Sequence, residues 1–227
     1  MHPSADEQAL FEAANRERSA QGLPLLEWDP ILASAARQHA HVMARDNDLS
    51  HQCPGEPTLE QRAAQAGARF ATIAENIAVG RDPDAIHDAW MHSPGHRENI
   101  LNPEVTAVGI AAVKGSGGLF AVQDFSRPVA ILSLEQQERK VMSLLTAAGL
   151  RAAHAAEDAR KACSGNSEIS GNQPLAIFRF RASDLSKLPD ELRDKIRKRP
   201  YNKAAAGACA TGEATGFVRY RIVVLLY

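Results

Sequence analysis

Apolar residues in the first hundred positions recur at helical spacing in four runs, each with its own punctuation. Ser4 stands three residues before Glu7, a capping-box pair, and Leu10, Phe11 and Ala14 follow at helical spacing until Gly22. Asp29 and Pro30 open a second helix. An aspartate there accepts the first free amides, and a proline at the first helical position has no N–H to leave unpaired. Its inward stripe is Leu32, Ala35, Ala36, His39, Val42 and Met43. Thr58 and Gln61 cap a third helix that stops at Gly67. Asp82-Pro83 starts a fourth, with Ile86, Ala89, Trp90 and Ser93 inward and Pro94-Gly95 as its end. The period then changes. Val105 to Val113 and Leu119 to Phe125 are strand-like runs around a glycine-rich turn, which predicts a hairpin. Helices followed by an antiparallel pair predict an α+β fold with segregated layers.

"SRPVAIL" reads as a linker, and the pattern then starts again. Ser133 and Gln136 form another capping box, Gly149 a stop, and a further helix runs into Cys163. After the polar loop "SGNSEISGNQP", "LAIFRFRAS" alternates as a half-buried strand does. "LPDELRDKIRK" is a short helix, and the chain closes as two strands around a Gly/Thr turn. The expected organisation is one domain over residues 1–127 and a smaller α+β module over 128–227. No internal repeat stands out in the sequence.

Composition removes several function classes. Lys plus Arg is 26 against 27 for Asp plus Glu, a formal net charge of −1 over 227 residues, so the basic field of a nucleic-acid binder is missing. No apolar run approaches the roughly 20 residues a membrane helix needs. The opening "MHPSADEQ" has no apolar signal core, which fits either a cytosolic protein or one whose leader has been removed. A monomer is expected. Cys53, Cys163 and Cys209 lack the CxxC spacing of zinc ribbons and redox sites, and one disulfide plus a free thiol or three reduced thiols both remain open.

Several pieces of the first half occur in one order: "LPLLEWDPILASAARQHA", "NDLSH", "AENIAVG", "AWMHSPGHRENILNPEVTAVGIAA" and "FAVQDF". From about Ala9 to Phe125 this resembles the bacterial branch of the CAP superfamily, which includes cysteine-rich secretory proteins, antigen-5 allergens and plant pathogenesis-related-1 proteins. The second half carries no comparable signature. The resemblance implies an α-β-α sandwich with a short antiparallel sheet, export to a secreted, extracellular or periplasmic location, and an open polar cleft. In its fullest form that cleft holds two histidines and two glutamates. The first histidine falls on His51 and the first glutamate on Glu75. The second glutamate position is Ser93 and the second histidine position is Phe120, so half of the tetrad is present. His96 of "SPGH" is the local substitute.

His51 and Glu75 are residue types that serve a metal or a histidine–carboxylate pair. With His96 they match, by composition, the first shell of a catalytic zinc or another divalent metal, although no cofactor is required. The alternative is structural: Glu75 fixes an "ENIA" turn and holds His51. The expected function is a secreted, non-enzymatic module binding a small molecule, lipid or peptide in a cleft lined by His51, Glu75, His96 and Ser93. One alternative is a metal-dependent hydrolase with Glu75 as ligand or general base. Another is a cell-surface adhesion protein acting through its second module. Trp90 and His39 are read as core, His41 as solvated, and His92 as an exposed partner of Asp88. Arg97 and Glu98 are an ion pair or solvated charges. Cys53 is a loop cysteine, or else an activated thiol or added soft ligand near His51. Export would favour a Cys163–Cys209 disulfide stapling the small module. "FRFR" and "VRYR" form either a basic strip for an anionic surface or a solvated strand face.

Overall fold

The computed structural model describes residues 2–165, 172–198, 201–210 and 216–227. Two compact units divide the chain, one running to Pro128 and the other starting at Val129. Gly216 and Phe217 group with the first unit, where the Phe217 ring meets Phe70 edge-on at 4.8 Å.

In the first unit the elements are α1 (Ala5–Ala20), β1 (Glu27–Trp28), α2 (Pro30–Asp46), α3 (Leu59–Ala66), β2 (Phe70–Gly80), α4 (Pro83–His92), α5 (Pro94–Leu101), β3 (Ala107–Gly115) and β4 (Gly118–Pro128). The expected caps form. Ser4–Glu7 and Thr58–Gln61 are reciprocal capping boxes, and Asp29 accepts the amides of Ile31 and Leu32. The sheet order is β1-β3-β4-β2, with β1 parallel to β3 and the other pairs antiparallel.

Alternation along the central strands sends residues to opposite layers. Val108, Ile110, Ala121 and Phe125 join Leu10, Ile86, Trp90 and Ile100 on one face. Ala111, Phe120, Val122 and Ile77 join Ala36, Ala40 and Met43 of α2 on the other. This is the expected α-β-α sandwich. Its close packing requires Gly109, because a Cβ there would lie 2.0 Å from the Ala33 amide nitrogen of α2. Arg18 is fully buried, and its guanidinium donates to the carbonyls of Pro24, Ile100, Asn102 and Val105. Those include the free carbonyls at the end of α5, which would otherwise be buried without donors.

Three expectations need correction. Pro94-Gly95 does not end the helical region: Ser93 is extended, Pro94 takes the first position of α5, and His96 to Glu98 are helical. "ENIA" is the middle of β2, not a turn. Ala89 is exposed, while Trp90 is core as expected, its indole N–H donating to the Ile77 carbonyl at 3.1 Å.

The second unit contains α6 (Leu134–Ala147), β5 (Arg151–Ala152), α7 (Ala156–Cys163), β6 (Ala176–Ala182), α8 (Asp190–Lys198), β7 (Lys203–Cys209) and β8 (Tyr220–Leu226). Its sheet order is β5-β7-β8-β6. Val141, Leu145, Leu192, Ile222 and Val224 centre the larger core, and Ala159, Ala162, Ala205, Val223 and Leu225 form the layer under α7. Cys163 and Cys209 are disulfide-bonded, with Cα atoms 5.7 Å apart, and Cys53 is the free thiol. Among the described residues no helix is long and apolar enough to cross a membrane.

Candidate functional site

Strand β2 carries the centre of the site. Glu75 lies on its α2 face and is buried, which for a lone carboxylate would be prohibitive. Two partners make it tolerable. Arg62, from the capped helix α3, donates through Nη2 to Glu75 Oε2, and both side chains are only 3% exposed. His51, from the loop between α2 and α3, donates from Nδ1 to Glu75 Oε1 at 2.8 Å. Arg62 also ties down that loop through Nη1, which donates to the carbonyls of His51 at 3.2 Å and Pro57 at 3.1 Å. The His51 side chain itself is 61% exposed. A buried pair thus presents an open imidazole.

Directly across the ladder from Glu75 stands Asp124, which is fully buried and whose carboxyl oxygens accept no bond from the described residues. Burial first, and then the facing Glu75 charge, push its carboxyl well above the ordinary value. A protonated Asp124 can donate its O–H to Glu75, so the facing pair carries one negative charge, which Arg62 balances. Burial alone would raise Glu75 too. The His51 hydrogen bond and the Arg62 charge outweigh it and hold Glu75 below its usual range.

The opposite face of β2 docks α5. Asn76 Nδ2 donates to the His96 carbonyl at 3.0 Å, while Asn99 Nδ2 donates to Asn76 Oδ1 at 2.9 Å and to the Glu75 carbonyl at 3.2 Å. The buried Asn76 also reaches Gln123 Oε1 at 3.3 Å. His96 is half-buried, and burial followed by the nearby His51 charge lowers its pKa. His51 moves the other way, raised by its bond to Glu75. Ser93 lies at the α4–α5 joint and makes no side-chain cap bond. His92 bonds the Asp88 carbonyl at 2.8 Å on an exposed helix face, and His41 is exposed, both as expected.

The expected metal set does not converge. Both Glu75 oxygens are occupied by Arg62 and His51, and among the described residues the ligand atoms that gather within 4.8 Å of one another belong to His39, Cys53 and Glu56. There His39 Nδ1 donates to Glu56 Oε2 at 2.8 Å and the Cys53 amide donates to the same oxygen at 3.2 Å. These bonds close the loop after α2. An ion would have to displace the His39 bond. Burial first, then Glu56, push the Cys53 thiol up to about 11, so it is not an activated nucleophile. Native protein at pH 8 should therefore resist iodoacetamide, and unreduced protein in denaturant should titrate one thiol. Rapid native alkylation would contradict this environment.

Arg62, Asp124, Glu56, Asn76 and Asn99 are the site residues that sequence reasoning did not identify. The first could have been suspected from the short capped helix that follows the histidine loop.

The model of the CAP, cysteine-rich secretory protein family, matches residues 11–125. Among curated relatives, the uncharacterized protein YkwD of Bacillus subtilis is 38% identical over 121 residues, 53% of this chain and 47% of that protein. The uncharacterized membrane protein YlbC of the same organism is 32% identical over 108 residues, 47% of this chain and 31% of its own length. The match thus spans less than half of either relative. An extracellular protein of Bacillus anthracis containing an SCP domain superposes with a TM-score of 0.50 at 35% identity, covering 54% of this chain and 40% of that one. An outer surface protein of Borrelia burgdorferi gives 0.52 at 23% identity, covering 56% and 96%, and shares the fold.

Proposed function

Because this chain belongs to the CAP, cysteine-rich secretory protein family, through residues 11–125, we propose that its first unit is an exported, non-enzymatic binding module. Its cleft, centred on His51 with Glu75, His96 and Ser93 around it, holds a small molecule, lipid or peptide bearing an anionic end. One observation carries this reading: the imidazole of His51 is mostly exposed yet fixed by a buried Glu75–Arg62 pair. Pre-organisation of that kind lowers the ordering cost of recognition. Since Nδ1 is bonded to Glu75, Nε2 is the atom presented to a ligand. Export is supported by the Cys163–Cys209 disulfide and by the extracellular SCP-domain relative.

Hydrolysis is less well supported. Glu75 is pinned by Arg62 and so is poorly placed as a mobile base, and the Cys53 thiol is buried and protonated.

Two anionic probes test the reading: N-acetyl-dialanine and laurate, followed through the histidine Cε1–H resonances. Binding should shift His51 and His96, strengthen as pH falls toward 6, and vanish in His51→Ala. The pH direction follows from the raised pKa of His51, whose imidazolium persists above the ordinary 6.5 and is lost as pH rises through the folded value. Cleavage of the acetylated dipeptide, lost in His51→Ala, would overturn the binding assignment in favour of catalysis.

A further inference from the structure

The second unit repeats the topology of the first. With α3 and α5 set aside, the first unit runs α-β-α-β-α-β-β, and the second runs in the same order among its described residues. Both sheets place a two-residue strand parallel to the third strand and outermost, and both place the second strand at the far edge. The ladders agree residue by residue. Glu27–Trp28 pairs with Ala107–Val108, and Arg151–Ala152 pairs with Lys203–Ala204. Equating Ala107 with Lys203 equates their partners Ser126 and Tyr227, and counting back six residues equates Phe120 with Arg221. Phe120 pairs with Val79 and Arg221 with Arg181. Two residues back along each edge strand, Ile77 matches Arg179, and two further back Glu75 matches Ile177. Each unit also uses a glycine to seat its helix on the third strand: a Cβ on Gly207 would lie 2.2 Å from the Ala159 carbonyl carbon of α7, as Gly109 does against α2.

One difference matters chemically. Helix α2 has 17 residues and α7 has 8, so α7 is roughly 13 Å shorter. In the first unit the last turns of α2 lay Ala40 and Met43 over Ile77 and Phe120. In the second unit the matching sheet surface carries Arg179, Arg181 and Arg221 instead. They line a cavity of about 340 Å³ beside Cys163, the last residue of α7. Arg181 stands directly opposite Arg221, and Arg179 projects from the same face roughly 7 Å away. Like charges facing each other across a ladder repel. Among the described residues none of the three has an ion-pair partner, and Arg221 donates to the Cys163 carbonyl at 3.3 Å. Exposed Ile177 and Leu175 continue this edge.

We infer that the second unit is a reduced copy of the first unit's fold and that Arg179, Arg181 and Arg221 form a binding site for a phosphate-bearing anion where the copy lacks its last helical turns. Planar guanidinium forks suit phosphate oxygens, and a bound dianion removes the repulsion between Arg181 and Arg221. The site stands apart from the His51 cleft in sequence and in chemistry.

Calorimetric titration of the full chain with inorganic pyrophosphate at low salt tests the free-anion form. Flotation with phosphatidylglycerol vesicles, against phosphatidylcholine vesicles, tests a lipid headgroup. Either probe should bind, and Arg179→Gln/Arg181→Gln should weaken it at least tenfold without lowering the thermal midpoint, since neither side chain has an ion pair to lose among the described residues and the change relieves the repulsion with Arg221. Arg221→Gln provides an independent variant. Pyrophosphate binding alone assigns a soluble ligand, and vesicle binding that pyrophosphate competes away assigns a headgroup. Binding of neither probe, or equal binding by the double variant, overturns the site.

Discussion

Arg62→Ala should lower the unfolding free energy of the first unit by about 3–5 kcal/mol at pH 7, the range for stripping one partner from a buried ion pair. The cost arises because Glu75, 3% exposed, would keep its charge without the guanidinium that balances it, leaving the His51 bond, His39 Nε2 at 3.9 Å and the facing Asp124 as weaker compensation. Arg62 also holds the loop through the His51 and Pro57 carbonyls, so the His51 ring should lose its fixed position as well. For a unit of this size the loss corresponds to upwards of about 10 °C in thermal midpoint. Scanning calorimetry at pH 7 measures it. The deficit should shrink below pH 5, because without the guanidinium Glu75 takes up a proton more readily and the buried charge disappears. Glu75→Gln in the Arg62→Ala background should recover part of the loss for the same reason. A loss under about 1 kcal/mol would mean that water reaches Glu75 and that the pair is not buried in solution.

In the wild type Glu75 and its partner His51 impose opposite pH dependences. Glu75 is held below its ordinary 4.5, so its contribution is present above that value and is lost as pH falls through the folded one. His51 is raised above 6.5, so its contribution is complete below that value and fades as pH rises through the folded one. Between about pH 4.5 and 6.5 both operate. His51 is mostly exposed, and its share is correspondingly small.

Features written in four or five consecutive residues are legible directly in the sequence. Ser4–Glu7, Thr58–Gln61 and Ser133–Gln136 announce helix starts because a cap is local chemistry, and all three form. Pro94 misleads because a proline is equally at home after one helix and at the head of the next. What decides is that Trp90 and Ile100 both sink into one core, leaving only Ser93 to make the joint. The middle of β2 is obscured by its polar pair. A Glu-Asn dipeptide inside a strand looks like a turn until Arg62 and Asn99, 13 and 23 residues away, supply the partners. Asp124 reads as an ordinary strand-end charge, and only the ladder shows that it faces Glu75. Beyond the helix caps and the strand glycines, the repeated fold leaves no trace in the residues because the matching positions have exchanged chemistry, Phe120 for Arg221 and Glu75 for Ile177. Backbone register survives such exchanges, and side-chain similarity does not.

Removing the Cys163–Cys209 bond should have the second large effect, and it should fall on the second unit. The bond joins residues 46 apart. Loop-closure entropy for that length is worth about 4 kcal/mol. The layer it pins is thin: α7 has 8 residues, too few to hold helical structure alone, and rests on Ala159, Ala162, Ala205, Val223 and Leu225. Small side chains there bury little apolar area, so close approach through Gly207 and the covalent tie must compensate. Cys163→Ala/Cys209→Ala should therefore raise amide exchange across α7 and β7 by two to three orders of magnitude at 25 °C, the factor that about 4 kcal/mol implies after allowance for residual structure in the unfolded chain. Exchange in β3 and β4 should stay unchanged, since Cys53, the thiol of the first unit, takes no part. Loosening α7 should also weaken pyrophosphate binding, because the Cys163 carbonyl that orients Arg221 moves with it. Unchanged exchange in α7 would show instead that packing alone holds this layer, and the disulfide would then be a mark of the oxidising compartment and not a structural requirement.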